Sequence, residues 1–174
     1  DCCQALSVPP TLKYEADGGP GMVEILELLK GADRPRTDQE TFLQAQIAFW
    51  LLAATDGHAK NFSIALYPGG GFELTPLYDV ISAEPLFAAG ELRKKDLRLA
   101  MAVGDNRHYR IHEVMPRHFV QTAARAGLPP HAVERLISDM IETVPGAITQ
   151  VTENLPADFP TAVSGPIIQG LRRR

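Results

Sequence analysis

Eight consecutive residues, I-A-F-W-L-L-A-A at positions 47–54, are apolar on every face of a helix. Thr37 and Glu40 have the spacing of a capping box, which predicts a helix over residues 38–54 that includes this run. A helix without a polar face has to be covered by other elements on all sides. The sequence therefore predicts one core built around this helix.

Further helical patterns supply elements that cover it. Positions 22–29 carry apolar residues at helical spacing, and Gly31 stands where a C-terminal cap would. Another helix is predicted to begin at Pro116. A longer one follows Pro129-Pro130, and Pro145-Gly146 is expected to kink or break it.

Two hairpins are predicted between the helices. Residues 62–66 and 72–74 are joined by P-G-G-G, and residues 97–103 and 108–111 are joined by a turn around G-D-N. A last helical segment covers residues 161–171. The predicted fold class is mainly α (α+β), with residues 1–174 forming one helical domain that carries a small hairpin.

Composition restricts the classes of function. A chain of 174 residues with 45% hydrophobic content is long enough for one sizeable core. The net charge of -4 argues against a surface that coats nucleic acid. Only two cysteines occur, adjacent at positions 2 and 3, so the chain has no disulfide framework, which is typical of a reducing compartment. No stretch has the roughly 20 apolar residues that span a bilayer. We expect a soluble cytoplasmic protein without membrane contact.

Three oxygen-bearing side chains flank the first hairpin. Asp56 and Asn61 lie in T-D-G-H-A-K-N at 55–61, directly after the apolar helix, and Asp79 follows the second strand in L-Y-D. The hairpin would bring the three side chains to one place. Kinases hold a substrate hydroxyl and magnesium with an Asp, an Asn five residues later and a second Asp beyond the next strands. The pattern predicts a phosphotransferase.

Phosphoryl transfer gives each of these residues a role. Asp56 is suited to accept the hydrogen bond of the nucleophile, and Gly57 beside it is expected to leave room for a substrate backbone. Asn61 and Asp79 are suited to Mg²⁺, which takes oxygen ligands and retains waters. The phosphates of a nucleotide would complete the shell of the ion.

Each residue also has an ordinary structural explanation. An Asp before a Gly is usually a turn residue, Asn61 alone would most often bond its own backbone, and Asp79 would as often cap an element as bind metal. His58 and Lys60 lie in the same loop, where either could meet a phosphate oxygen, but packed histidines and solvated lysines are commoner. The combination around one hairpin favours the functional interpretation.

No second site is predicted. His108, His112, His118 and His131 have no zinc-like spacing and are predicted to lie at the surface. The R-K-K run at 93–95 and R-R-R at 172–174 are interpreted as solvated charges, with a partner-binding surface as the less favoured alternative.

The motifs resemble those of the HipA family of serine/threonine kinases, the toxins of bacterial toxin–antitoxin pairs. The two specific matches are T-D-G-H-A-K-N-F-S at 55–63 and L-T-P-L-Y-D-V-I-S-A at 74–83. The resemblance extends over almost the whole chain through K-Y-E-A-D-G-G-P-G at 13–21, L-R-L-A-M at 97–101, P-R-H-F at 116–119 and L-P-A-D-F-P at 155–160.

This resemblance implies a protein-kinase-like C-terminal lobe, largely helical, whose active-site residues lie on a small hairpin and face another lobe. Mg²⁺ and ATP are the implied cofactors. The implied roles are Asp56 as the catalytic aspartate, Asn61 and Asp79 as magnesium ligands, and His58, Lys60 and Tyr78 as neighbours of the bound nucleotide.

The resemblance also implies partners. Members of the family phosphorylate a serine on a protein target, often an aminoacyl-tRNA synthetase, and so stop translation. A HipB-type antitoxin with a helix-turn-helix domain neutralises the kinase. DNA would be reached only indirectly, through the antitoxin.

The chain departs from a complete kinase at its amino-terminal side. It opens at Asp1 without a methionine, and C-C-Q-A-L at 2–6 resembles the interior of a helix already under way. No Gly-rich phosphate loop precedes the motif, so the N-terminal ATP-binding lobe is absent from these residues. We expect a fragment that is inactive alone, because catalysis needs a closed cleft.

Two other classes of function remain open. A non-catalytic module could bind an antitoxin or a target, although such a scaffold has no need of three oxygen ligands. A metal-dependent phosphohydrolase would use the same carboxylates on water, and the lack of a second cluster of metal ligands disfavours it.

Overall fold

The computed structural model describes all 174 residues and contains seven α-helices and two short hairpins. The fold is mainly α, as predicted. The helices are α1 (Cys2–Ala5), α2 (Met22–Leu29), α3 (Pro35–Leu52), α4 (Glu84–Ala88), α5 (Pro116–Arg125), α6 (Pro130–Asn154) and α7 (Thr161–Arg173). The strands are β1 (Ile64–Leu66), β2 (Phe72–Leu74), β3 (Arg98–Val103) and β4 (His108–Arg110).

The apolar run lies in and just after α3, which is the centre of the fold. α3 packs against α2, α5, α6 and α7 and against β2. Ile47, Phe49 and Trp50 expose 5% of their surface or less. The indole N–H of Trp50 donates to the Ile111 carbonyl at 3.1 Å, so the polar edge of this ring is also satisfied. Burying one such side chain stabilises the fold by about 1.5–3 kcal/mol.

α3 begins three residues before the predicted start. Arg34 is the N-cap and Pro35 the first helical residue, so Thr37 lies inside the helix and the predicted capping box is wrong. Proline suits this position because its φ is already helical and it lacks the N–H that would stay unpaired there. Asp38 is buried and accepts the Leu74 N–H at 3.0 Å, which ties α3 to β2.

Both predicted hairpins are present. β1 pairs antiparallel with β2, with Ile64 opposite Leu74, and begins two residues after the predicted start. β3 pairs with β4 in an irregular register, and Gly104 takes a left-handed conformation, φ 81°, in the turn between them. Five of the six residues of β3 are buried. The second hairpin therefore belongs to the core, whereas the first reaches solvent at Leu66.

Two predicted helix ends differ from the structure. α6 passes through Pro145 without interruption, so the predicted break does not occur. Pro145 leaves the Ile141 carbonyl without its helical partner, and water can solvate this carbonyl because Ile141 is 41% exposed. α2 ends at Leu29 with Lys30 as its C-cap, so Gly31, which the sequence predicted as the cap, lies one residue beyond it.

One histidine predicted at the surface is buried. His118 is 4% exposed, and its ring stacks on that of His108 with 4.1 Å between the centroids. Its Nδ1 accepts the Met115 N–H at 3.2 Å, at the start of α5. Burial lowers the pKa of His118, and the positive charge of a protonated His108 would add to that effect.

The two cysteines lie in the core as free thiols. Burial raises the pKa of Cys2 to about 12, so this thiol stays protonated and unreactive at neutral pH. None of the helices combines the length and the apolar character that crossing a membrane would require.

A buried carboxylate fastens α7 to α4. Glu84, the first residue of α4, is 1% exposed and pairs with Arg173 at 2.8 Å and with Arg174 at 2.6 Å. Arg174 also donates its Nε–H to the Leu51 carbonyl at 2.9 Å. A carboxylate this deeply buried needs its partners, because an unpaired charge in the interior is costly.

Glu84→Ala is expected to lower the free energy of unfolding by about 3 kcal/mol, because it leaves the guanidinium of Arg174, whose side chain is 13% exposed, without its carboxylate partner. Urea unfolding followed by circular dichroism measures this change. The matched control is Glu113→Ala, which removes an exposed pair with Arg110 and should cost less than about 1 kcal/mol. Equal losses in the two variants would contradict the role given to Glu84.

Candidate active site

The carboxyl end of α3 fixes both segments that carry the candidate residues. The last carbonyls of a helix have no partner within it. Here the Leu52 carbonyl accepts from the Ser82 hydroxyl at 2.6 Å, and the Ala53 carbonyl accepts from the Ala83 N–H at 2.9 Å. Ala53 is also the C-cap, with φ 51°, and turns the chain into the motif at 55–61. The end of α3 therefore holds the segments before and after the first hairpin.

The T-D-G-H-A-K-N motif folds as two consecutive tight turns. The His58 N–H donates to the Asp56 carbonyl at 2.9 Å, and the Asn61 N–H donates to the His58 carbonyl at 2.9 Å. This path leaves the Asp56 side chain exposed but buries His58 and Asn61, which are 5% and 3% exposed.

Gly57 packs against Phe49 of α3. A Cβ at position 57 would lie 2.2 Å from Cδ2 of Phe49, far inside van der Waals contact. Phe49 cannot yield easily, since it is 2% exposed and packs on Phe62 with 5.8 Å between the ring centroids. The structure therefore gives Gly57 a packing role, and the substrate role expected from the sequence stays a prediction.

Gly57→Ala is expected to destabilise the fold by about 2 kcal/mol, because the added methyl overpacks the contact with Phe49. Urea unfolding measures the change. Gly146→Ala is the matched control, since nothing lies within 4 Å of a Cβ there. In the interior of α6 this alanine should stabilise the protein by about 0.5–1 kcal/mol. If both substitutions changed the free energy of unfolding in the same direction, the packing role of Gly57 would be contradicted.

Asn61 and Asp79 meet as the sequence predicts. The side-chain N–H of Asn61 donates to Oδ2 of Asp79 at 2.9 Å. Oδ1 of Asn61 is buried and has no hydrogen-bond partner. Asp79 has φ 57°, a left-handed conformation that aspartate adopts more readily than most other non-glycine residues. The Asp79 carboxylate thus lies beside an unpaired amide oxygen.

This pair of residues fits a hard cation. Mg²⁺ takes amide and carboxylate oxygens and keeps several waters, so two side chains from the protein are sufficient. An unpaired buried acceptor is unfavourable unless something binds it. No three His, Cys, Asp or Glu side chains cluster closely enough to hold a metal, so the remaining ligands would come from outside the chain.

Asp56 has different partners from the other two. The Tyr14 hydroxyl donates to Oδ1 of Asp56 at 2.6 Å, and Nε2 of His58 lies 3.8 Å from the same oxygen. No hydrogen bond joins Asp56 to Asn61 or Asp79. The candidate site thus has two parts, the Asp56 carboxylate beside Tyr14 and the hydrogen-bonded pair of Asn61 and Asp79.

Tyr14 is the residue that sequence reasoning missed. It lies 42 positions before Asp56, and no local spacing connects the two. The only signal was its place in K-Y-E-A-D-G-G-P-G, a motif that supported the family resemblance but received no role.

The contacts of Asp56 set the protonation of its neighbours. The hydrogen bond to Asp56 raises the pKa of Tyr14 to about 12, and burial and the nearby negative charge add to the effect. The phenol is therefore a donor at neutral pH. Burial lowers the pKa of His58, although the charge of Asp56 opposes the shift. His58 is neutral at pH 7, and its Nδ1 is buried without a partner.

Tyr78 and Lys60 lie beside the hairpin. The Tyr78 hydroxyl donates to the Lys60 carbonyl at 2.7 Å and lies 2.7 Å from the Ser63 hydroxyl. The ammonium of Lys60 forms no salt bridge with any carboxylate of the chain. These contacts tie the segment that carries Asp79 to the motif at 55–61.

Asp56 opens on a cleft of about 380 Å³. Tyr14 and Asp56 form part of its wall, and the ends of the second hairpin form another part. The other polar lining residues are Asp17, Thr55, Asp96, Arg98 and Tyr109.

The fold matches that of part of a chain in a solved complex. The match is to a chain of the Shewanella oneidensis toxin–antitoxin complex of HipA, HipB and operator DNA, with a TM-score of 0.84 and 24% identity. It covers 99% of this chain and 42% of that chain. At this identity the comparison establishes the fold.

The chain belongs to the family of HipA-like C-terminal domains, whose model matches residues 1–148. A Sinorhizobium fredii protein named "Putative kinase Y4mE" is 34% identical over 155 residues, and the serine/threonine-protein kinase toxin HipA of Shewanella oneidensis is 25% identical over 168. These matches cover 88% and 90% of this chain but only 35% and 36% of the relatives. The chain thus spans about a third of their length.

Proposed function

We propose that this chain is the C-terminal catalytic lobe of a HipA-like serine/threonine protein kinase, which transfers the γ-phosphate of ATP to a serine of a protein. The observation that carries the proposal is the unpaired Oδ1 of Asn61 beside the Asp79 carboxylate. A relative named as a serine/threonine-protein kinase toxin supports the assignment.

Asp56 would act on the serine hydroxyl. Its carboxylate is exposed at the wall of a cleft, so a hydroxyl that enters the cleft can reach it. It would accept the proton of that hydroxyl while the serine oxygen bonds to the γ-phosphorus, the bond from the γ-phosphorus to the bridging oxygen breaks, and ADP leaves. Such a base contributes about 10²–10⁴-fold to the rate.

Asn61 and Asp79 would hold Mg²⁺ with the phosphates of ATP. When bound, the ion supplies positive charge that offsets the charge of the phosphates. Lys60 has an ammonium that pairs with no carboxylate of this chain, and it would meet a phosphate oxygen. His58 is packed and neutral, and with Tyr78 it would border the nucleotide by shaping the turn that presents Asn61.

The rest of the full-length protein would supply the other half of the nucleotide site. The matches cover only about a third of the curated relatives, and no Gly-rich phosphate loop precedes the motif at 55–61 in these residues. The open cleft beside Asp56 needs a second wall to exclude water. The isolated lobe would therefore bind Mg-ATP weakly and be inactive.

The kinase would be the toxin of a type II toxin–antitoxin pair in the cytoplasm. The solved relative lies in a complex with HipB and operator DNA, and the proposed partner is an antitoxin of that kind, with a helix-turn-helix domain. DNA would be contacted through the antitoxin, which agrees with the net charge of -4. An aminoacyl-tRNA synthetase is the candidate target.

Asp79→Ala in the full-length protein is expected to weaken Mg-ATP binding by about tenfold or more, because it removes a charged metal ligand. Calorimetric titration measures the dissociation constant. Asp139→Ala, on the exposed face of α6, is the control and should change nothing. If the full-length protein did not bind Mg-ATP, the kinase proposal would fail. The alternative of a non-catalytic module that binds an antitoxin or a target would then take its place.

Asp56→Asn in the full-length protein is expected to lower phosphate transfer by about 10²–10⁴-fold with the affinity for Mg-ATP unchanged, since an amide cannot act as the base. Transfer of label from γ-labelled ATP to dephosphorylated casein measures the rate. Asp105→Asn, in the turn between β3 and β4, controls for the loss of one carboxylate. Unchanged transfer by the Asp56 variant would contradict the catalytic role.

A further inference from the structure

We propose that Tyr14 is a positioning residue for Asp56, and that its hydroxyl fixes the carboxylate so that Oδ2 faces the cleft where the acceptor hydroxyl enters. The inference rests on the proposed kinase function and deepens it. Nothing else in the chain holds this carboxylate by a hydrogen bond.

The hydrogen bond from Tyr14 makes the two carboxylate oxygens of Asp56 different from each other. Oδ1 of Asp56 accepts the Tyr14 hydroxyl at 2.6 Å and is also the oxygen 3.8 Å from Nε2 of His58. Oδ2 forms no hydrogen bond within the chain. Because rotation of a carboxylate about its last torsion is nearly free, an exposed aspartate without such a donor would sample many orientations. One fixed donor therefore selects which oxygen is available.

The ring of Tyr14 is itself held in place. It meets the ring of His58 edge to face, with 5.0 Å between the centroids, and the Lys13 ammonium lies 4.9 Å from its centroid. The Tyr14 carbonyl accepts the Gly19 N–H at 2.9 Å. A Cβ at position 19 would lie 2.0 Å from the Leu12 carbonyl oxygen, so this tight loop requires glycine.

The loop is anchored to the core by the next residue. The carboxylate of Glu15 accepts the Ala102 N–H at 2.6 Å and pairs with Arg107 at 3.1 Å. Ala102 lies in the buried strand β3. The donor that orients Asp56 is thus connected to the core by charge-assisted bonds, which are the stronger kind. This connection gives K-Y-E-A-D-G-G-P-G a function: it places a phenol beside the base.

The chemistry requires a donor that does not compete for the proton. The phenol of Tyr14 keeps its proton at neutral pH, because its pKa is raised to about 12. It therefore donates to Oδ1 throughout the reaction, and the proton of the serine hydroxyl passes to Oδ2. Hydrogen bonds to charged groups have the strength to fix such an orientation.

The test is Tyr14→Phe in the full-length protein, which removes the hydroxyl but keeps the ring contacts with His58 and Lys13. Turnover of Mg-ATP with dephosphorylated casein as acceptor is expected to fall about tenfold in kcat, with KM for Mg-ATP unchanged. Tyr67→Phe is the matched control, since it also removes a phenol bonded to a carboxylate, that of Glu73, but at the far end of the first hairpin. It should leave kcat and KM unchanged.

A second measurement examines the contact itself. Carbon NMR of labelled tyrosine rings in this chain follows the titration of each phenol. Asp56→Asn should lower the pKa of Tyr14 toward the ordinary tyrosine value near 10. The titration of Tyr67 should not move. A Tyr14 that titrates alike in both proteins would show that the contact is absent and overturn the inference.

The outcomes separate the two proposals. If the wild-type protein turns over Mg-ATP and Tyr14→Phe has the same kcat, the positioning role is overturned and the proposed kinase function is not. An increased kcat would also overturn it, because it would mean that the phenol obstructs Asp56. A full-length protein that neither binds nor turns over Mg-ATP would remove the proposed function, and the positioning role with it.

Discussion

The structure depends on the burial of α3 up to its carboxyl end. A helix buried this completely cannot leave its last carbonyls to water, so other segments have to satisfy them. Ser82 and Ala83 satisfy the carbonyls of Leu52 and Ala53, and they come from the segment that carries Asp79. The left-handed turn at Ala53 sends the chain directly into the motif that carries Asp56 and Asn61. The contacts that satisfy the buried end of α3 therefore also position the two segments that carry the candidate site residues.

The site combines two kinds of environment. Asp56 is exposed and receives its orientation from a phenol, whereas Asn61 is buried and keeps one acceptor unpaired. The first arrangement suits a group that exchanges a proton with an incoming substrate. The second suits a group that waits for a cation, since an unpaired buried acceptor is unfavourable until something binds it. Both residues come from the short motif at 55–61, whose turns expose Asp56 and bury Asn61.

Local patterns predicted much of this fold, because apolar periodicity and turn residues act over a few positions. They identified the central helix, both hairpins and the meeting of Asn61 with Asp79. They placed the start of α3 wrongly, because both Thr37 and Pro35 are residues that favour a helix start, and the helix begins at Pro35. Tyr14 and Glu84 could not be assigned from the sequence, because their partners are fixed only by the tertiary fold, and the burial of His118 depends on how α5 packs in that fold. Distances of 42 and about 90 positions separate the first two from the groups they bind.

The pairing of Glu84 with the last two arginines makes the end of this chain a structural part of it. Removing two residues, by a protease or by a shorter expressed segment, would leave a carboxylate at 1% exposure with no cation. Glu84 stands five positions after Asp79, so the disturbance would begin next to the candidate metal ligand. A trimmed form could therefore retain its central helix and still present Asp79 poorly. Comparisons between preparations of different length should be read with this connection in view.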